Sequence, residues 1–373
     1  MSVVQFDKGP GGHGARFEGA QRLIVAQSQD EVPGALAAME AAQAAGQWLA
    51  GYASYELGYA LTPKLAARMR AERDLPLIQF GVFAAPKPAR VDIPSNVGLS
   101  RFAPLWSRER YATAFDQVKA YIAAGHIYQA NLTFPMEARL AGAPWALYRA
   151  LAAHQPVPHG AFVDLGGPAL VSRSPELFFA ADADGRLETR PMKGTAPRRP
   201  WPDADEAERR ALRSSEKNQA ENLMIVDLLR NDMSRVSELG SVKVPELFRV
   251  ETYRTLHQMT SRITSRVVPG TTLSDLFEAL FPCGSVTGAP KIRSMEILSE
   301  LEAGPRGAYC GSVGWIAPDG AMEFNVAIRT ITCFPDGRAV MGVGGGVVHD
   351  STLDGEYDEA LLKGRFARLP EPA

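Results

Sequence analysis

Apolar and polar positions alternate with two different periods along this chain, and the switches between them mark out its elements. Tyr111, Phe115, Val118 and Ile122 are spaced four, three and four apart, which predicts an amphipathic helix capped by Ser107 and ended near Gly125. Residues 127–134 then read as a strand, 145–153 as a short helix, and 160–165, 169–172 and 177–181 as strands. A tight turn at 182–185 and residues 187–191 lead into Pro191-Met192-Lys193-Gly194-Thr195-Ala196-Pro197-Arg198. Further on, strands are predicted at 242–250 and 253–266, helices at 273–280 and 291–302, and a loop at 282–290 between them. Residues 310–317 and 323–334 read as an antiparallel pair turning at Pro318-Asp319-Gly320, 340–348 as a glycine-laden strand, and 354–365 as a final helix. Residues 221–232 form a helix apolar nearly all round, which predicts burial although it carries Glu221, Asp227 and Arg230.

The first 95 residues read as a smaller layer. Residues 22–26 are strand-like, 31–50 form an alanine-rich helix with Leu36, Met39 and Trp48, 51–59 make a strand entering a turn, and 79–84 another strand. Three prolines and a weak pattern make 85–100 the best linker, dividing the chain into 1–95 and 96–373. Strands outnumber βαβ repeats, so large antiparallel or mixed sheets with helices packed outside are expected.

Composition narrows the function. At 373 residues and 46% hydrophobic the chain can bury a large core. Its 40 basic and 42 acidic residues leave a net charge of −2, which implies no nucleic-acid or membrane-surface partner. Cys283, Cys310 and Cys333 are odd in number and lack CxxC spacing, which fits a reducing compartment. Residues 1–20 lack the apolar core of a secretory signal, and no apolar run is long enough to cross a bilayer, so a cytoplasmic location is expected.

Several short motifs can carry chemistry. In Pro191–Arg198 two prolines restrict the backbone and a glycine frees it beside Lys193, so the lysine is a nucleophile, an anion anchor or a surface charge. Residues 284–291 break the spacing of a phosphate-binding P-loop, and 342–347 lack the third glycine of a dinucleotide fingerprint. The glycine amides there suit either a small anion or close sheet packing. Glu356, Glu359 and Lys363 share one helix face; this is an ordinary salt-bridge stripe or, with Glu221 from another helix, a carboxylate set suited to Mg²⁺. Arg329 is a carboxylate clamp or half of an internal ion pair. Glu176, in Ser174-Pro175-Glu176 between two strands, stands where a general acid could act. His257, inside a strand, reads more readily as a core histidine than as a catalyst. No cysteine sits in a glutamine-hydrolysing nucleophile elbow.

Taken together, Ser174–Glu176, Pro191–Arg198, Glu221–Asp232, Gly284–Lys291, Gly311–Trp315, Ile328-Arg329, Gly344–Val348 and Glu356–Lys363 resemble the chorismate-utilising enzymes from about Trp106 to Arg365. The resemblance implies an α+β fold of two large, mostly antiparallel sheets packed as a sandwich with helices outside. It implies Mg²⁺ held by Glu221 and Glu359 with Glu356 beside them, and the enolpyruvyl carboxylate held by Arg329, Gly344, Gly345, Gly346 and Lys363. It also implies that Thr195 and His257 orient the ring and that Glu176 protonates the departing hydroxyl. Lysine at 193 is similar to the branch of the family that aminates C4 of chorismate through a lysine adduct, where anthranilate synthases carry alanine. Gln129 stands where hydrolytic members place a water-activating lysine, which disfavours water as nucleophile. Ammonia is then expected from a separate glutamine amidotransferase subunit. Two positions depart from the pattern: Trp315, a substrate contact where relatives often carry tyrosine, and Cys283, where glycine is frequent.

Overall fold

Period-two segments this numerous can bury one face each only by stacking sheet on sheet, and that is the architecture observed. The computed structural model describes residues 2–90, 97–253 and 256–369. Its strands form two sheets in which neighbouring strands run antiparallel. The first sheet runs in the order Gly288–Ala289, Gln129–Ala141, Arg338–Val347, Thr330–Cys333, Ala169–Ser174, His159–Asp164, Val3–Phe6, Ala15–Glu18 and Lys87–Pro88. The second runs Met192–Pro197, Leu256–Arg266, Arg186–Arg190, Leu177–Ala181, Met322–Asn325, Ser312–Ile316, Trp48–Ala53, Ile78–Phe83 and Arg22–Ala26. Strands from the first 90 residues thus complete one side of each sheet. Residues 91–96 of the expected linker, including the boundary at 95/96, and residues 254–255 of the strand expected from 253, lie outside the described residues.

Apolar alternation fills three cores. Val4, Phe17, Tyr52, Phe83, Leu170 and Val313 pack between the sheets. The helices Arg108–Ala123, Pro144–His154, Lys291–Leu301 and Leu353–Lys363 cover the first sheet, with Tyr111, Phe134 and Tyr357 at their shared core. The helices Val32–Ala44, Glu216–Ser234 and Leu273–Leu280 cover the second, around Leu36, Ile225, Phe277 and Phe324. The two large antiparallel sheets with outer helices expected from the chain are present. Among the described residues no helix is long and apolar enough to cross a membrane.

Local signals act as their chemistry predicts. Ser107 Oγ accepts from the Arg110 amide at the start of its helix. Three expectations are corrected. The helix expected to reach residue 50 stops at Ala44, because Gly46 takes φ 77° and Trp48 opens a strand. The helix Glu216–Ser234 is buried on one side only: Asp227 and Arg230 pair on its open face at 2.8 Å. The strand expected over 323–334 is two strands, Met322–Asn325 in the second sheet and Thr330–Cys333 in the first.

That last break matters for the site. The chain changes sheet twice in the same place: upward of Asn325 through Arg329, and between Ser174 and Leu177 through Pro175 and Glu176. The two crossings are sewn together, since Val326 N donates to Glu176 O at 3.1 Å and Arg173 N donates to Arg329 O at 2.9 Å. Ser174 Oγ adds a bond to Val326 O at 2.6 Å. Arg329 takes φ 51°, a left-handed conformation costly for a side-chain-bearing residue, as the chain turns between sheets.

Candidate active site

Glu176 and Arg329 therefore belong to the same double crossing, near enough for their charges to act on each other. Glu176 is 3% exposed. Burial pushes its carboxyl up to about 7, against the pull of Ser285, Lys193, the Met192 amide and Arg329. Those neighbours stand close, yet Glu176 Oε1 closes no hydrogen bond among the described residues. Burial also lowers Arg329, and the Tyr253 and Glu176 charges oppose it. Arg329 lines a small pocket with Gln155, Tyr253, Leu256 and Gln258.

Lys193 comes from the end strand of the second sheet and reaches the first. A Cβ placed on Gly346 would lie 3.1 Å from Lys193 Nζ and 2.4 Å from Gln129 Nε2, so only glycine leaves room at that crossing. The strand Arg338–Val347 pairs with Gln129–Ala141, with Gly346 opposite Asn131 and Gly344 opposite Thr133. Lys193 keeps some surface open to the cleft but is hemmed in by enough protein that burial dominates its chemistry. Its amine is held below the ordinary lysine value by that burial and by Lys363, with Glu221, Glu176 and Glu359 pulling the other way. Gln129 is 1% exposed and neither end of its amide has a partner among the described residues. Gly194 takes φ 85°, packs against Asn218 and gives its carbonyl to Gln258 Nε2 at 2.8 Å. Thr195 Oγ1 donates to Gln258 Oε1 at 3.2 Å.

The outer wall is made of helices. Lys363 Nζ donates to Gly344 O at 3.0 Å and pairs with Glu359 at 2.8 Å. Glu356 lies under Gly345, whose Cβ would meet its carboxylate at 2.8 Å, and it accepts from Ser351 Oγ at 2.6 Å. Glu221, on Glu216–Ser234, pairs with Lys217 at 3.9 Å. Burial raises Glu356, helped by the negative charges of Glu359 and Glu221. Burial also acts to raise Glu359, but Lys363, Lys193 and Lys217 bring it below the usual carboxylate range. The three carboxylates thus act on one another, with Lys193, Lys217 and Lys363 among them. Among the described residues no group of three or more His, Cys, Asp or Glu side chains is placed to hold a metal ion.

Lys193, Glu176, Arg329, Gly344, Gly345, Gly346, Lys363, Glu221, Glu356 and Glu359 are linked by these contacts and fields. Thr195 lies beside them but is exposed and turned to Gln258. His257 is not brought in: Nε2 meets Asp205 at 3.0 Å and Nδ1 meets Thr252 at 3.0 Å, so both ring nitrogens are occupied. On an alternating strand its neighbour Gln258 takes the opposite face, the one that grips Gly194 and Thr195. Trp315 packs against Trp48, ring centroids 6.2 Å apart, and lines a cleft with Pro175, Leu177 and Met192. That neighbourhood contains none of the other candidate residues. Sequence reasoning missed Gln258 and Ser285. Cross-strand parity would have found the first; nothing local marks the second. Cys283, left unexplained by the motif, is buried with Sγ 3.2 Å from Ser285 Oγ.

The two-sheet sandwich thus brings a lysine, a buried acid, an arginine without an ion-pair partner among the described residues, and a glycine strand to one junction. The chain belongs to the family of chorismate binding enzymes, which it matches over residues 10–368. It is 45% identical over 256 residues to an aminodeoxychorismate synthase from Streptomyces griseus, covering 69% of this chain and 35% of that protein. It is 44% identical over 257 residues to aminodeoxychorismate synthase component 1 of Klebsiella aerogenes, covering 69% of this chain and 56% of the relative. The chain thus spans about half or less of the length of these curated relatives. The crystal structure of anthranilate synthase component I from Streptococcus pneumoniae superposes with a TM-score of 0.75 at 27% identity, over 87% of this chain and 81% of that one.

Proposed function

We propose that this chain is the chorismate-aminating component of an aminodeoxychorismate synthase, converting chorismate and ammonia to 4-amino-4-deoxychorismate. The observation that carries the reading is the pairing of Lys193, an amine lowered by burial, with Glu176, an acid raised to about 7. Burial shifts the lysine toward its neutral form and the glutamate toward its protonated form, the states that nucleophile and acid require.

The ring would lie over the glycine run with its enolpyruvyl carboxylate toward Arg329, the Gly344–Gly346 backbone and Lys363. Arginine can hold a carboxylate with two parallel hydrogen bonds. Neutral Lys193 Nζ forms a bond to C2 while the C4–O bond breaks and the ring double bonds shift. Glu176 gives its proton to the departing hydroxyl, which leaves as water, and then takes the proton released from the new alkylammonium. Ammonia next forms the C4–N bond, the C2–N bond breaks, and Lys193 leaves with a proton from the incoming nitrogen. Gln129, which cannot deprotonate water, favours ammonia over hydrolysis.

The mutually repelling carboxylates of Glu221, Glu356 and Glu359 form a partial, open donor set. That is how Mg²⁺ is usually held, by one or two carboxylates plus water and substrate. These residues would hold it, and when bound it neutralises the ring carboxylate. Ammonia would come from a glutamine amidotransferase partner. The product would serve 4-aminobenzoate and folate synthesis in the cytoplasm.

The test is mass spectrometry of the protein with chorismate and Mg²⁺ but no ammonia, followed by product analysis after ammonia is added. A mass gain at Lys193 and 4-amino-4-deoxychorismate as product are expected. Likeness to the anthranilate synthase structure favours a second reading, and release of 2-aminobenzoate would establish it over the first.

A further inference from the structure

We infer that Arg306, acting with Glu302, is a positioning residue for this site, fastening the strand behind the glycine run to the turn that faces Glu176. The inference rests on the reading above for the site's location.

Arg306 is nearly sealed from solvent, its side chain 3% exposed, and its donors are spent on three elements at once. Nε and Nη2 donate to Glu302 Oε2 and Oε1 at 2.8 and 2.7 Å. Nη1 donates to Val286 O at 2.9 Å, and Nη2 to Asn131 O at 2.8 Å. The guanidinium lies over the Tyr55 ring, 4.3 Å from its centroid. Glu302 Oε1 accepts in addition from Thr133 N at 3.0 Å and Thr133 Oγ1 at 2.8 Å.

The positions gripped are those behind the chemistry. Asn131 and Thr133 are the cross-strand partners of Gly346 and Gly344. Val286 ends the turn Gly284–Val286, whose Ser285 acts on Glu176. One planar cation therefore sets the distance between the glycine wall and the acid's wall. The backbone at Arg306 is itself anchored, because the amides of Arg306 and Gly307 donate to Glu56 at 2.7 and 3.1 Å. Through Glu56 a residue of the first 90 shares in that anchorage. Lysine cannot replace this fork, since its ammonium offers donors at a point and cannot span two carbonyls and a carboxylate.

The test uses the full chain carrying Arg306→Lys, with Thr133→Val as a milder variant that deletes one hydroxyl bond to Glu302. Melting temperature, kcat, KM for chorismate, the pH profile of kcat and amide exchange over residues 131–134 and 284–288 are read together. Expected for Arg306→Lys are a roughly ten- to hundredfold fall in kcat, a displaced alkaline limb, and faster exchange in both segments. Thr133→Val should show the same signs in smaller degree, and it decides the matter if Arg306→Lys does not fold. Folded variants with wild-type kcat, wild-type pH profile and unchanged exchange would overturn the inference and leave the proposed function standing. If the unaltered chain itself fails to turn over chorismate, the proposed function falls and exchange in the two segments alone decides the role of Arg306.

Discussion

The two walls of the site are built from similar residue types under opposite physical conditions. The inner wall, at the double sheet crossing, holds Glu176 buried and Arg329 half-buried without ion-pair partners among the described residues, with Lys193 beside Gly346. The outer wall, on helices Glu216–Ser234 and Leu353–Lys363, holds charges that are paired and partly open: Glu359 with Lys363, Glu221 with Lys217. Burial without a partner moves a group's proton affinity toward neutrality; pairing in a wetter place leaves the charge in place and makes it exchangeable. On the proposed function, the inner wall would carry the proton and bond chemistry and the outer wall would hold Mg²⁺.

The sharpest way to break this contrast is Glu176→Gln, which keeps the shape and removes the transferable proton. A general acid contributes on the order of 10²–10⁴-fold, so a kcat loss of that size is expected. The pH profile carries the sign. Glu176 must be protonated to act, so wild-type kcat falls as pH rises past about 7. Lys193 must be neutral, so kcat also falls toward acid pH, with a midpoint below the ordinary lysine value because burial lowers it. Glu176→Gln should abolish the alkaline limb and keep the acid one. An alkaline limb that survives in the variant would move the acid elsewhere.

On the outer wall the effect should be smaller and of another kind. Glu359→Gln is expected to raise the Mg²⁺ concentration giving half-maximal activity at least tenfold, the equivalent of ~1.4 kcal/mol, with kcat largely restored at saturating metal. Titration with Mn²⁺, read by the electron paramagnetic resonance signal of the free ion, checks binding without turnover. A kcat loss that saturating metal does not repair would place Glu359 in the chemistry and erase the difference between the walls.

Much of this was legible in the chain because it is local. Helix caps, strand periods and the shared face of Glu356, Glu359 and Lys363 depend on residues a few positions apart. So do the large antiparallel or mixed sheets with outer helices, which follow from many half-apolar strands and few βαβ repeats, whereas their packing as a two-sheet sandwich was implied by the family resemblance. What depends on distant pairing was not legible. The strand read across 323–334 is continuous by pattern, and pairing with residues 169–172 and 339–341 pulls its second half into the other sheet. Lys193 was legible as a constrained lysine, but Gly346 as the surface it meets was not, since they sit on different sheets.

His257 and Gln258 give the finest test of that boundary, because one residue of register separates a packing role from a site role. Adjacent side chains on a strand point to opposite faces. Ala196 stands opposite His257 and Thr195 opposite Gln258 in the pairing with Met192–Pro197. His257 is therefore committed to Asp205, which also accepts from Arg198 Nε at 2.9 Å and the Arg199 amide at 2.8 Å, so it secures the helix Pro202–Ser214. Gln258 holds Gly194 and Thr195, the two residues that follow Lys193. His257→Leu should lower Tm by a few degrees while the folded protein keeps KM for chorismate within about twofold, since it removes no site contact. Gln258→Leu should cost less in Tm and more in kcat, because Lys193 loses the brace on its turn. Were His257→Leu to raise KM more than Gln258→Leu, the histidine would regain the ring-orienting role that the family resemblance implied, and the strand's facing here would have to change on substrate binding.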